Sequence, residues 1–212
     1  RVLPGHPAEM LIKLSLYCGL RPGESIALQW RHIDLNRGLV HIEQATKRTG
    51  EIGTPKTSAG NRTIPIPKVM IDDLLRYKKE SPWETGPFNF VLRNQHGDRL
   101  GFKSVSILWK QFKNDLNIGM GCDQKDGHAL PPYRVADDLV LYCFRHTYCT
   151  DLQDAGVPIN VARELMGHSD ISVTSKIYTH GTERSLEAAR SSIDRFHNDE
   201  GVTQGVTLEQ VK

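Results

Sequence analysis

Apolar residues recur at helical spacing from residue 6 to residue 18, where Met10, Leu11, Leu14 and Tyr17 or Cys18 share one face. Gly19 supplies a stop, and Pro22 suits the first position of a second helix carrying Ile26, Ala27 and Trp30. The period then changes. Residues 38–45, GLVHIEQA, alternate apolar and polar like a half-buried strand, and residues 51–55 and 61–66 read as two further strands. The polar segment 56–61, KTSAGN, joins those two as a hairpin turn and completes a three-stranded antiparallel sheet. Helical spacing returns over 68–79 and stops before Pro82. Ser81 to Gly101 reads as irregular, with one short strand at Asn89 to Arg93. Residues 103–116 form an amphipathic helix through Val105, Leu108, Trp109, Phe112 and Leu116, and Gly119 to Tyr133 reads as a long surface loop.

From Tyr142 onward, stop signals cut the pattern into short helices. Gly156 and Pro158 end one, Gly167 ends the next, and Ser169 with Asp170 can cap a third. A last helix covers 183–197. The expected fold is α+β and mostly α-helical, one domain over residues 1–198, with residues 199–212 a polar tail expected to be mobile.

Composition narrows the class only a little. A hydrophobic content of 38% with 25% charged residues suits a globular chain of 212 residues, and no apolar run approaches the length of a membrane helix. A cytoplasmic protein is expected. The first residue is Arg1, so the chain reads as a piece of a longer protein. Net charge is only +2, but Lys47, Arg48, Lys56, Arg62 and Lys68 fall in one stretch and Arg99, Lys103, Lys110 and Lys113 in another. Such stretches are either solvated faces or phosphate contacts. Cys18, Cys122, Cys143 and Cys149 contain no Cys-x-x-Cys pair, which disfavours zinc and a disulfide framework and predicts free, mostly buried thiols.

The chemistry concentrates between Tyr142 and His180. Three short helices joined by tight turns fold back on themselves, so Arg145, His168 and Tyr178 can line one pocket although 33 residues separate the first from the last. Upstream, Arg21 sits beside Glu24 just before a proline-initiated helix. A cation at a helix start opposes the macrodipole, which makes better sense if an anion binds there too. A guanidinium also suits two-point contact with phosphate oxygens. Arg21 can equally be a loop arginine bonded to Glu24. An isolated helical Tyr, taken alone, is most often a packing residue.

Five segments in order, GLRPGE (19–24), TPKTSAGNRTIPIP (54–67), FRHTYCTDLQDAG (144–156), LMGHSDISVT (165–174) and IYTH (177–180), resemble the catalytic domain of the tyrosine recombinases, the integrases of phages and conjugative transposons. The resemblance implies that family's catalytic-domain fold and a catalytic set of Arg21, Lys56, Arg145, His168 and Tyr178. Tyr178 would attack a DNA phosphate and form a 3′-phosphotyrosyl link. Lys56 would protonate the departing 5′ oxygen, and His168 would donate a hydrogen bond to a non-bridging oxygen. Glu24 would orient a catalytic side chain, and Lys47, Arg48 and Arg62 would contact DNA. Neither ATP nor any other cofactor is implied, nor a metal. The implied partners are double-stranded DNA, three further copies of the chain in a recombination synapse, and an accessory DNA-bending or excision factor. This piece alone can be monomeric. Where many members carry a histidine three residues before the second arginine, this chain has Tyr142; His146 reads as a packing histidine. Two other readings stay open: a type IB topoisomerase-like strand cleavage and religation, and a non-catalytic DNA-binding protein on the same fold.

Overall fold

A computed structural model describes residues 3–55, 58–178 and 183–199. Helix α1 (Glu9–Cys18) is the central element. It buries Met10, Leu11, Ile12, Leu14, Ser15 and Cys18, more than a single stripe, because other helices pack on several of its sides. The chain leaves α1 at Gly19, which adopts the left-handed conformation at φ 61° and donates its N–H to the Leu14 carbonyl. Helix α2 (Pro22–Ala27) starts three residues later with proline in its first turn and Arg21 as N-cap. Glu24 accepts the Arg21 backbone N–H at 2.9 Å, closing a capping box.

The three-stranded antiparallel sheet is present, but one of its members differs from expectation. Strand β2 (Leu39–Ile42) lies between β1 (Ile33–Asp34) and β5 (Arg62–Pro65), with Val40 opposite both Ile33 and Ile64. Segment 51–55 does not join it. Strand β4 (Ile52–Gly53) pairs instead with β3 (Ala45–Thr46) in a separate two-stranded hairpin. A tight turn at 47–50, with Gly50 at φ 91°, folds the chain back locally and uses up those strand edges. The expected hairpin between 51–55 and 61–66 is therefore a link between two sheets. Ile33–Asp34 escaped detection because two residues show no alternation. The Asp34 side chain, capping the N–H groups of Asn36 and Arg37, is what turns the chain there.

Helix α3 (Lys68–Glu80) and helix α4 (Phe102–Gly119) fall where periodicity puts them. Between them the chain is irregular, and the expected strand from Asn89 to Arg93 is reduced to two isolated bridges, Gln29 with Phe90 and Arg93 with Arg99. The surface loop after α4 contains a small hairpin, β6 (Gln124–Lys125) with β7 (His128–Ala129). Its turn, Asp126-Gly127, has positive φ at both positions, a hairpin signal legible in the sequence.

Helices α5 (Tyr142–Asp154), α6 (Ile159–Met166) and α7 (Ile171–Tyr178) follow the predicted stop signals. Gly156 and Gly167 are left-handed at φ 72° and 62°, and Asp170 accepts the Ser172 N–H at 2.8 Å to cap α7. Helix α5 packs along α1 and also touches α6, α7 and α8 (Glu183–Asp199). Of the expected tail, 199–212, residues 200–212 lie outside the described residues, and Asp199 is the last residue of α8. Among the described residues no helix is long and apolar enough to cross a membrane.

A side chain at Gly19 would collide with the Tyr148 ring, its nearest carbon only 2.3 Å from an added Cβ, whereas at Gly5 (φ 78°) nothing lies within 4 Å. Gly5→Ala should therefore cost only backbone strain, about 1 kcal/mol. Gly19→Ala adds overpacking and should cost about 3 kcal/mol or more. Urea unfolding of the two variants checks the difference; equal costs would contradict this packing.

Candidate active site

Two glycine turns and one helix build the site. The Gly19 turn links α1 to α2 and presents Arg21; the Gly167 turn links α6 to α7 and presents His168. Arg145, the fourth residue of α5, sits between them with no exposed surface. Its two terminal nitrogens donate to the Gly19 and Met166 carbonyls. Those are end-of-helix carbonyls without helical partners, at the negative poles of two macrodipoles. A buried guanidinium satisfies both. Arg145 is thus a cation held at two helix ends.

The remaining charges are arranged around that fork. Arg21 donates to the Gly167 carbonyl at 3.0 Å and to Glu24 Oε1 at 2.8 Å. The buried Glu24 carboxylate also receives both terminal nitrogens of Arg62, at 3.1 and 2.9 Å, and stands 3.9 Å from Arg145. Burial alone would raise the Glu24 pKa. The Arg62 hydrogen bonds and charge, with Arg21 and Arg145 behind them, outweigh burial and hold it at about 2. Burial lowers Arg145 to about 10, helped by the neighbouring Arg21 charge, so it remains a cation at neutral pH. Burial, then the charges of Arg145, Arg21 and Arg62, depress His168 to about 4. The imidazole is neutral at pH 7, and its Nδ1 lies 2.9 Å from the buried Thr174 hydroxyl on α7. Tyr142 lies over Arg145, ring centroid 6.0 Å from Cζ, and meets His146 edge-on.

Arg21, Glu24, Arg145 and His168 come together, with Tyr142 at the margin. Arg21, about one-third exposed, is the accessible guanidinium, while Arg145 is enclosed and its terminal nitrogens are already bonded. One N–H of each terminal nitrogen is committed, and burial shuts the whole side chain off from solvent in this conformation. Tyr178 is the last residue of α7, and its side chain lies outside the described residues, as does all of Lys56. Lys47 and Arg48 are exposed at the turn between β3 and β4, free to meet a polyanion.

Several expectations need correction. Arg62 is not a surface DNA contact: it is buried, and it is spent on Glu24 and on the Leu165 and Gly60 carbonyls. Arg99 is likewise committed, donating to the Thr46 hydroxyl and the Gly50 carbonyl to brace the β3–β4 hairpin. Lys68 pairs with Asp72 on its own helix. His146 is exposed and does not pack into the core. Of the four free cysteines only Cys18 and Cys149 are buried. Thr174 was missed altogether; its one sequence signal is a small hydroxyl residue six positions after His168 on a helix face. Among the described residues no group of three His, Cys, Asp or Glu side chains could hold a metal.

The model of the Phage integrase family matches residues 5–184, and the chain belongs to that family. It is 30% identical over 200 residues to a tyrosine recombinase XerC-like protein of Caldanaerobacter subterraneus, covering 84% of this chain and 46% of that protein. It is 30% identical over 188 residues to tyrosine recombinase XerA of Thermococcus kodakarensis, covering 88% and 56%. The chain thus spans about half the length of the curated relatives it matches. A structure of the Tn1549 transposon integrase in complex with a circular intermediate DNA superimposes with a TM-score of 0.64 at 24% identity, covering 89% of this chain and 58% of that one. The fold is that of the tyrosine-recombinase catalytic domain, α+β and mostly helical.

The depressed pKa values fix a direction for acid sensitivity. The unfolded chain takes up a proton at residue 168 near pH 6.5, whereas the folded chain resists it until about 4. Stability should fall as pH drops through that window. Glu24 extends the loss from about 4.5 down to about 2. His168→Gln should flatten the upper window relative to wild type and leave the lower one unchanged. Urea unfolding across pH 3 to 8 checks it, the difference between the two proteins removing the contribution of other histidines.

Proposed function

We propose that this chain is the catalytic domain of a site-specific DNA recombinase that cuts and rejoins strands through a 3′-phosphotyrosyl intermediate. The observation carrying the reading is the cluster of three guanidiniums around one carboxylate, with a neutral imidazole beside them. That is a net-positive, largely dehydrated setting suited to a phosphodiester gaining charge as it becomes pentavalent. Membership of the phage integrase family supports the same reading.

In the reaction, the Tyr178 phenolate oxygen bonds to the scissile phosphorus as the bond to the 5′ oxygen breaks. The phenolic proton passes to solvent water before or during attack, and the departing oxygen takes one from Lys56. The phosphotyrosyl ester keeps the energy of the broken bond, and the freed 5′ hydroxyl of a partner duplex reverses the step, so neither ATP nor a metal is required. Neutral His168 can donate one hydrogen bond to a non-bridging oxygen, and Arg21 supplies the exposed guanidinium. Arg145 acts from behind, through its charge and by holding both turns. Its Nε–H is buried without a partner, a cost of about 1–3 kcal/mol. Exposed Lys47 and Arg48 track the DNA backbone. Exchange between two duplexes requires four protomers, acting in the cytoplasm.

A nicked duplex that traps the covalent intermediate tests the reading. Wild type should form an SDS-resistant adduct that EDTA does not affect, Tyr178→Phe should form none, and Arg21→Ala should slow its formation about 10²- to 10³-fold. An adduct that persists in Tyr178→Phe, or depends on Mg²⁺, would contradict it.

A further inference from the structure

Arg62 is a buried guanidinium of the cluster, and its contacts reach three separate segments. Strand β5 fixes its backbone opposite Ile42. From there Nε donates to the Leu165 carbonyl of α6 at 2.8 Å, Nη1 to the Gly60 carbonyl at 3.1 Å, and both terminal nitrogens clasp Glu24 on α2. The Gly167 turn packs directly on this side chain: a Cβ there would lie 2.8 Å from Arg62 Nη1 and 2.9 Å from the Ala59 carbonyl. Residues 59 and 60 are thereby clamped to the turn that presents His168. Glu24, meanwhile, is shared between two arginines. Arg62 takes it bidentately from the buried side, and Arg21, far more exposed, gives it one terminal nitrogen.

We infer that Arg62 is a positioning residue for strand cleavage: it locks segment 59–60 to the His168 turn, and it satisfies Glu24 so that Arg21 stays available to the phosphate. The inference rests on the recombinase reading. Without Arg62, the buried carboxylate would draw Arg21 inward as its main counter-ion. Lysine cannot replace it, since a point charge cannot bridge a carboxylate and two carbonyls at fixed angles.

The test compares wild type, Arg62→Lys and the charge-paired variant Glu24→Gln/Arg62→Gln on the same nicked duplex, together with amide hydrogen exchange without DNA. Arg62→Lys should bind the duplex within about threefold of wild type, because no DNA contact is lost. Its single-turnover cleavage at saturating DNA should fall about 10- to 100-fold from misplacement alone. Amides of residues 59–61 and 165–168 should exchange about tenfold faster or more, as expected when a local closure is released. If Arg62→Lys does not fold, the paired variant, which removes both members of the Arg62–Glu24 pair together, should show the same faster exchange and slower cleavage. Wild-type cleavage and exchange in a folded variant would overturn the inference. So would weaker binding with an unchanged rate, which would make Arg62 a DNA contact. If wild type gives no adduct while exchange still rises in the variants, the recombinase reading fails and the clamp stands.

Discussion

Everything in the site depends on one buried fork, the Arg145 guanidinium bonded to the Gly19 and Met166 carbonyls. Two helices ending near each other bring two negative poles and several unpaired carbonyls into a dry interior. A cation between them turns that liability into an attachment. It requires backbone turns tight enough to aim their carbonyls at one point, which is why both are left-handed glycines. It also requires a counter-charge, because a buried guanidinium is costly without one. Glu24 meets that need at 3.9 Å and is itself matched by Arg62. These buried ions are better understood as setting geometry than as adding net stability.

The geometry has a chemical consequence. By holding the two turns together, the fork sets the N-cap arginine of α2 beside the histidine that precedes α7. Burial, with the surplus of positive charge behind it, keeps that histidine neutral well below pH 7. A neutral imidazole can donate or accept, and the tautomer depends on its bond with Thr174. The same hydroxyl ties the ring to the helix that ends at Tyr178, so the turn proposed to meet phosphate and the proposed nucleophile share one mechanical unit.

Much of this was legible in the sequence, for identifiable reasons. Glycine and proline punctuation located α1, α2 and the run from α5 to α7, because left-handed caps and fixed φ are local properties of single residues. The convergence of Arg21, Glu24, Arg145 and His168 followed from those stops together with the family motifs. Strand partners were less legible, since pairing is decided by turns: Gly50 diverted segment 52–53 to β3, and Asp34 brought in a two-residue strand. Arg62 was misjudged as a DNA contact because charge in a sequence carries no burial information, and long-range partners decide which arginines are spent. The enclosure of Arg145 was invisible for the same reason; its acceptors are backbone carbonyls 126 and 21 residues away.

The most direct measurement is a structure of this chain on a duplex whose scissile phosphate is replaced by vanadate. The vanadate oxygens should lie against Arg21 and His168, with Arg145 still bonded to the Gly19 and Met166 carbonyls behind them. An oxyanion seated elsewhere, or an Arg145 side chain that has left both carbonyls without displacing the two turns, would contradict it.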